Sequence, residues 1–155
     1  MIRIDIANQQ KTLPVDRRLL RRAVRMILKD AGVDDAEISL AIVDDPTIRE
    51  LHRRHLGHDD PTDVISFVLQ RDGSRLEGEV IVSADTALAA APRYRNSPAK
   101  ELLLYVIHGT LHLVGYGDDT RQARAVMSRR QRTYLEDLEG DCLTGRTADP
   151  VSPAD

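Results

Sequence analysis

Apolar and polar residues alternate in several parts of the chain, with the period of two that is typical of a half-buried strand. The pattern predicts strands over residues 2–7 and 37–43, and in the second of these Ile38, Leu40 and Ile42 fall on one side. Residues 64–69 and 80–82 predict two more strands, separated by a hairpin turn over residues 71–75.

Other segments place apolar residues at helical spacing. Asp16 is a suitable N-cap for a helix over about 17–31, after which Gly32 stops it, and Pro46 favours the first turn of a helix to about His55. Further helices are predicted over about 84–91, 99–114 and 121–138. The order of these elements predicts an α+β fold, with helices packed on a small mixed sheet of about four strands.

The length of 155 residues corresponds to about one domain, which we place at residues 1–139. From Gly140 onward Gly, Thr, Asp, Pro and Ser dominate, so a disordered tail is expected over 140–155. The chain starts without the apolar run of a signal peptide, and no run reaches the roughly 18 residues of a membrane span. Cys142 has no second cysteine to pair with, which favours a reducing compartment and hence a cytoplasmic location. Together with the lack of a long apolar run, this predicts that the protein has no membrane partner.

The segment from Val106 to Asp119 carries the candidate chemistry. His108 and His112 are four residues apart, so a helix places both imidazoles on one face, where they can hold one ion. Gly115 is the natural residue to end that helix, and Asp118 follows the turn as a third ligand. Three protein ligands leave a fourth position open, as in a catalytic zinc site with one zinc per chain.

Two alternatives stay open for these residues. The histidines can be ordinary residues of a partly buried helix face, and Asp118 or Asp119 can cap the next helix. Asp118 is preferred over Asp119 as the ligand, because Asp119 or Thr120 can serve as the cap. Gly109 stands where a His-Glu-x-x-His protease has its glutamate base, which argues against that protease chemistry and leaves metal-bound hydroxide as the base.

The motif His-Gly-x-Leu-His-Leu-x-Gly-Tyr at 108–116 resembles the signature of the YbeY family of bacterial endoribonucleases. Residues 61–67 and 78–83 resemble two further blocks of that family, Met127 falls at a family methionine, and the likeness covers roughly residues 1–138. The resemblance implies a zincin-like metal helix and a single-strand-specific, metal-dependent endoribonuclease. It also implies action in maturation of small-subunit ribosomal RNA and in ribosome quality control, with ribosomal RNA and the small ribosomal subunit as partners.

The chain departs from the family pattern at two positions. Asp118 stands where the family usually has a third histidine, and Leu56 stands where it often has a functional arginine. A carboxylate is an acceptable zinc ligand, so the site is expected to survive with less positive charge. Arg53 and Arg54 lie one turn away and are candidates to support catalysis in place of that arginine. A ribosome-associated RNA-binding factor with a structural metal and little turnover is the alternative function, and a hydrolase of a small substrate is a third.

The family's block at 61–67 lies near the metal, which makes Thr62, Asp63 and Ser66 candidates for contacts with the ligands or the substrate. Asp63 can accept the second ring proton of a ligating histidine, although Thr62 and Asp63 can equally serve only the turn after Pro61. A rival metal site at His52, His55 and His58 is disfavoured, because arginines lie between the first two histidines.

The net charge of −3 excludes a globally basic nucleic-acid binder, but arginines are clustered in three segments, at 17–25, 49–54 and 121–132. For each cluster a solvated helix face paired with acidic residues is the favoured interpretation. The exception is the cluster after the metal turn, because residues 120–135 contain no acidic residue.

Overall fold

The computed structural model describes residues 1–56 and 63–143 along the backbone, and side chains within 1–54 and 63–139. The described strands are β1 (Ile2–Asn8), β2 (Asp35–Val43), β3 (Val64–Asp72) and β4 (Arg75–Ser83). The described helices are α1 (Arg17–Asp30), α2 (Asp45–Leu56), α3 (Ala84–Ala90), α4 (Pro98–Leu113) and α5 (Arg121–Leu143), with a 3₁₀ turn at Ala91–Tyr94.

The four strands form one mixed sheet in the order β1-β2-β4-β3. β1 and β2 are parallel, as are β2 and β4, while β3 is an antiparallel edge strand that forms a hairpin with β4. The predicted α+β class and the four-stranded mixed sheet are therefore confirmed. The hairpin strands are longer than predicted, because Asp72 pairs with Arg75 and the loop shrinks to two residues, the first of which, Gly73, has φ 59°.

Alternation along the strands separates two apolar layers. On one face Ile4, Ile38 and Val80 pack with α1, α4 and α5 in the main core. On the other face a smaller cluster forms around Ile48 of α2 and Ile65 of β3. The principal core therefore lies between the sheet and the helices α1 and α4.

The free edge of β1 is closed by two arginines of α1. Arg17 Nη1 donates to the carbonyl of Ile6 at 2.6 Å, and Arg21 Nε donates to the carbonyl of Ile4 at 3.3 Å. Four helical residues rise about 6 Å and two strand residues about 6.6 Å, so the two spacings match. The arginines satisfy carbonyls that an added strand would otherwise use.

The helix ends largely follow the sequence. Asp16 caps α1 as predicted, accepting from the Leu19 amide at 3.1 Å. α5, expected to end near residue 138, runs to Leu143, so the predicted boundary at 140 falls inside it, and residues 144–155 lie outside the described part. Within the described residues, no helix has both the length and the apolar character needed to cross a membrane.

A hydrogen bond between helices joins α5 to α1. The Tyr134 hydroxyl donates to Asp30 Oδ2 at 2.6 Å, and Tyr134 is 3% exposed. Burial and this carboxylate raise the pKa of Tyr134 to about 12. The phenol therefore stays protonated and keeps donating across the physiological range.

α4 lies unusually close to β3 and β4, because Gly109 has no side chain. A Cβ atom at Gly109 would lie 2.7 Å from Val80 Cγ1, 2.9 Å from Val64 Cγ2 and 3.0 Å from Ser66 Oγ. Ser66 Oγ donates to the Gly109 carbonyl at 2.9 Å. A second glycine, Gly78 of β4, meets Leu113 in the same way. These contacts fix the distance between the helix that carries the histidines and the edge strand.

We expect Gly109→Ala to destabilise the fold, although alanine is the better helix former. Overpacking costs about 1–3 kcal/mol, whereas the gain in helix propensity is only about 0.8–1.0 kcal/mol. Chemical denaturation of the variant should give a net loss of about 1 kcal/mol in the free energy of unfolding.

Val80→Ala removes the nearest clashing atom, so Gly109→Ala should cost less in that background than in the wild type. A gain of about 1 kcal/mol in the single variant, as helix propensity alone predicts, would contradict the close approach.

Candidate metal centre

Local signals fix both ends of α4. Ser97 accepts from the Lys100 amide at 3.1 Å, and Pro98 occupies the first turn. At the other end Gly115 adopts φ 109°, its amide donates to His112, and the Tyr116 amide donates to Leu111 at 3.0 Å. This pair of hydrogen bonds is a Schellman motif, so the glycine stop predicted from the sequence is observed.

The helix and its turn bring three metal-binding side chains together. His108 Nε2 and His112 Nε2 are 3.0 Å apart. Asp118 Oδ2 lies 3.2 Å from His112 Nε2 and 3.6 Å from His108 Nε2. The imidazoles are 26% and 29% exposed, whereas Asp118 is 48% exposed. Among the described residues, these three form a group that can hold a metal ion.

The donor triangle fits a zinc-sized ion. Ligand atoms at about 2.0–2.1 Å from a tetrahedral zinc lie about 3.3 Å from one another. The three observed separations, 3.0, 3.2 and 3.6 Å, bracket that value. Imidazole nitrogen and carboxylate oxygen are both zinc ligands, so the size and the chemistry of the group agree.

Thr120, rather than Asp118 or Asp119, caps the start of α5. Its Oγ1 accepts from the Ala123 amide at 3.0 Å, which makes it the N-cap of α5. Arg124 Nη1 donates to the Asp118 carbonyl at 3.2 Å and supports the turn. The carboxylate of Asp118 is consequently available to the imidazoles, while Asp119 is not part of the group.

Gln131 of α5 is a site residue that the sequence analysis missed. Its Oε1 lies 2.8 Å from His108 Nδ1. An acceptor there holds the proton on Nδ1 and leaves Nε2 free for a metal. The sequence offered Asp63 as a candidate for such a role, with a turn-forming role as the open alternative, and for His108 the observed partner is Gln131. The available signal was Met127, because Gln131 follows it by four residues and therefore lies on the same face of α5. Met127 is 2% exposed, so this face is the one packed on the rest of the domain.

The three donors line an open cleft of about 430 Å³ between α4 and β3. Its opposite wall consists of Val64, Ile65, Ser66 and Val68 of β3 and of Asp63, which directly precedes the strand. Two of the three candidates from that block, Asp63 and Ser66, thus lie beside the donors, and Thr62 lies outside the described residues. No lysine, arginine, phenylalanine, tyrosine or tryptophan is among the described residues that line this cleft.

The arginines of α2 are not among the residues that line the cleft. Arg53 makes two hydrogen bonds to Glu50, at 2.6 and 3.1 Å, and Arg54 Nη2 lies 3.7 Å from Glu50 Oε1. The side chain of Leu56 lies outside the described residues. So do those of His55 and His58, which belong to the rival metal site.

A buried polar pair lies one to two turns before His108 on α4. Glu101 is 4% exposed and accepts from Asn96 Nδ2 at 2.6 Å. Burial, then the charge of Glu101 and its hydrogen bond, raise the pKa of the Tyr105 phenol well above its usual value, and Asp63 adds to the shift. Tyr105 therefore stays a neutral donor to Glu101.

The comparison with known proteins agrees with this architecture. The family model described as Endoribonuclease YbeY matches residues 5–139. An Endoribonuclease YbeY of Moorella thermoacetica is 39% identical over 145 residues, covering 84% of this chain and 93% of the relative. One of Desulfitobacterium hafniense is 37% identical over 151 residues, covering 87% and 96%.

A solved structure shares the fold as well. The solution structure of a Thermotoga maritima protein superposes with a TM-score of 0.64 at 30% identity, and the match covers 97% of this chain and 98% of that one. With a family match that spans nearly all of the described residues, and relatives aligned over most of their own length, the chain belongs to the YbeY endoribonuclease family.

Proposed function

We propose that this protein is a metal-dependent endoribonuclease that cleaves single-stranded RNA through His108, His112 and Asp118. The observation that carries the proposal is the donor triangle, which matches a zinc ion in size and opens into a cleft. Membership of the YbeY endoribonuclease family supports RNA as the substrate. We assign this activity to a single domain at residues 1–139, the range in which the family match lies, although its last helix continues to Leu143.

A divalent ion held by the three donors would supply Lewis acidity at a phosphoryl oxygen and activate the attacking water. The chain's own residues set the conditions for that chemistry. Gln131 accepts the proton of His108 Nδ1, which leaves the lone pair of Nε2 available to hold an ion. Asp118 would contribute a negative charge where a third histidine would be neutral, so an ion held here would lower the pKa of an attacking water less.

The shape of the cleft favours an unpaired strand held by its backbone. The wall of β3 is kept at a fixed distance from the histidines by the Ser66–Gly109 hydrogen bond. Because the described lining has no phenylalanine, tyrosine or tryptophan, and its two histidines are the proposed metal ligands, it offers no free aromatic platform of the kind on which many single-strand binders stack bases. Recognition inside the cleft would therefore rest on the sugar–phosphate backbone and the metal.

Zinc is the metal we propose, one per chain, because the spacing of the donors suits tetrahedral coordination. Nickel and iron also accept two imidazoles and a carboxylate. Ribosomal RNA of the small subunit is the substrate we propose, with the small ribosomal subunit as partner, in ribosomal RNA maturation and ribosome quality control. These assignments follow the family resemblance of the motif at 108–116.

Metal content and RNA cleavage should be lost together when a donor is removed. We expect about one zinc per chain in the wild type, and His112→Ala and Asp118→Ala should lose most of it, because two donors hold zinc weakly. Elemental analysis and cleavage of a labelled single-stranded RNA, on the same samples, measure both quantities.

Asp119→Ala is the matched control, since it removes the neighbouring carboxylate and should keep metal and activity. Metal retained in Asp118→Ala but lost in Asp119→Ala would reverse the assignment of the third ligand. Stoichiometric metal without cleavage in any sample would favour the alternative, a ribosome-associated RNA-binding factor with a structural metal.

Gln131→Leu should weaken metal binding about 10–100-fold, because Nδ1 of His108 loses the acceptor that fixes its tautomer. Competition with a chromophoric chelator measures the affinity. Gln131→Glu keeps an acceptor and should retain the metal.

Gln122 is an exposed glutamine on the same helix, so Gln122→Leu controls for the loss of an amide from α5. Nitrogen NMR of the metal-free protein gives a second readout, because His108 should carry its proton on Nδ1 only when Gln131 is present. Equal affinity in Gln131→Leu and Gln122→Leu would contradict a role for Gln131.

A further inference from the structure

The charges of this protein are separated between two faces. Residues 17–29 of α1 carry six cationic side chains and no acidic one, although the whole chain has a net charge of −3. The sheet face turned away from α1 carries four acidic residues, Asp5, Glu37, Glu77 and Glu79, against two arginines, Arg3 and Arg75, which lie 3.8 Å from Glu37 and 2.7 Å from Glu77. A small negative total therefore conceals one basic surface and one acidic surface.

The exposed cations of α1 form a single stripe, which we call the α1 stripe: Arg18, Arg22, Arg25 and Lys29. Their spacing of four, three and four residues keeps them on one helix face, and the stripe is about 16 Å long at the helical rise per residue. The stripe borders a groove of about 360 Å³ lined also by Arg21 and Met26. Arg25 and Lys29 also line the adjacent depression at Gly32 and Val33.

Two further cations, Arg17 and Arg21, lie at the inner edge of this helix. Arg17 and Arg21 hydrogen-bond to the carbonyls of β1, which are dipoles and leave the guanidinium charges in place. The acidic residues at the two ends, Asp16 and Asp30, serve as the N-cap and as the acceptor for Tyr134. The surface therefore combines a regular row of cations with a supporting second row.

The metal cleft lacks such a surface. The described residues that line it include Asp63 and Asp118 but no lysine or arginine. Arg130 of the neighbouring helix α5 lies over the rings of Tyr116 and Tyr134, at 5.9 and 5.3 Å from their centroids. A long polyanion that enters the cleft thus meets no lysine or arginine among its described lining, so cations outside the cleft, on α5 and on other helices, have to contribute to its affinity.

We propose that the α1 stripe is a second RNA-contacting surface, which binds the phosphate backbone without reading sequence. It rests on the proposed function only in taking RNA as the polyanion. A lipid surface fits less well, because an amphipathic helix binds membranes through an exposed apolar face. The apolar face of α1, including Leu20, Val24 and Ile27, is buried in the core.

The test is the salt dependence of binding to a fluorescently labelled oligouridylate, measured by anisotropy with metal removed so that no cleavage occurs. Each phosphate contact contributes about 0.7 to the slope of log affinity against log salt for a single strand. Arg25→Gln should lower the slope by about 0.7, and Arg25→Gln/Lys29→Gln by about 1.4, or roughly 25-fold in affinity near 0.1 M salt. Glutamine keeps the helix propensity of these exposed positions.

Arg3→Gln is the matched control, since it removes one exposed arginine from the acidic face of the sheet and makes the same change in net charge as Arg25→Gln. It should change the affinity less than two-fold, because surface charges beyond about 10 Å are screened at that salt. Equal slopes for Arg25→Gln, the double variant and Arg3→Gln would overturn the proposal. Binding of phosphatidylglycerol vesicles through these residues, without binding of oligouridylate, would also overturn it.

The outcome is separable from that of the proposed function. Cleavage by the wild type together with unchanged binding in the double variant would reject the α1 stripe as an RNA-binding surface and would leave the proposed nuclease activity standing. RNA binding that depends on the α1 stripe, without cleavage by any metal-loaded sample, would reject the proposed nuclease activity and support the α1 stripe as an RNA-binding surface.

Discussion

The packing of α4 against the hairpin of β3 and β4 is the contact on which the rest of the structure depends. Gly109 brings the helix so close that its own Cβ would clash with Val80 and Val64. The same contact orders the main core, because Ile107 and Leu111 flank the glycine on α4 and are fully buried. A wider separation would leave a cavity, and cavity formation costs several kcal/mol in well-packed cores. Stability and the width of the candidate active cleft are thus set by the same packing.

Much of this architecture was predictable from local signals in the chain. The alternation of Ile38, Leu40 and Ile42 predicted β2, Asp16 predicted the start of α1, and Gly115 predicted the end of α4. Each of these signals acts through residues that are near one another in sequence, either through hydrogen bonds to the next turn or through a regular period. The three proposed ligands were found for the same reason, since they lie within eleven residues of one chain segment.

The features that the sequence did not reveal depend on contacts between distant segments. Gln131 lies 23 residues after His108, and only the crossing of α5 over α4 brings the two together. Gly109 was interpreted only as the absence of a catalytic base, because the strand that approaches it is separate in sequence. The extension of α5 to Leu143 had no local cue either, since the composition near Gly140 favours a loop.

The hydrogen bond between His108 and Gln131 has a thermodynamic consequence because it joins two helices. A ligand that prefers one arrangement of a protein stabilises that arrangement, and the linkage is reciprocal. If occupancy of the donor triangle requires His108 in the tautomer that Gln131 selects, then ion binding also favours the docked position of α5. Arg124 and Thr120 connect the start of the same helix to Asp118. A bound ion would therefore stabilise the packing of α5 against the rest of the domain. Loss of the ion would favour local unfolding of α5.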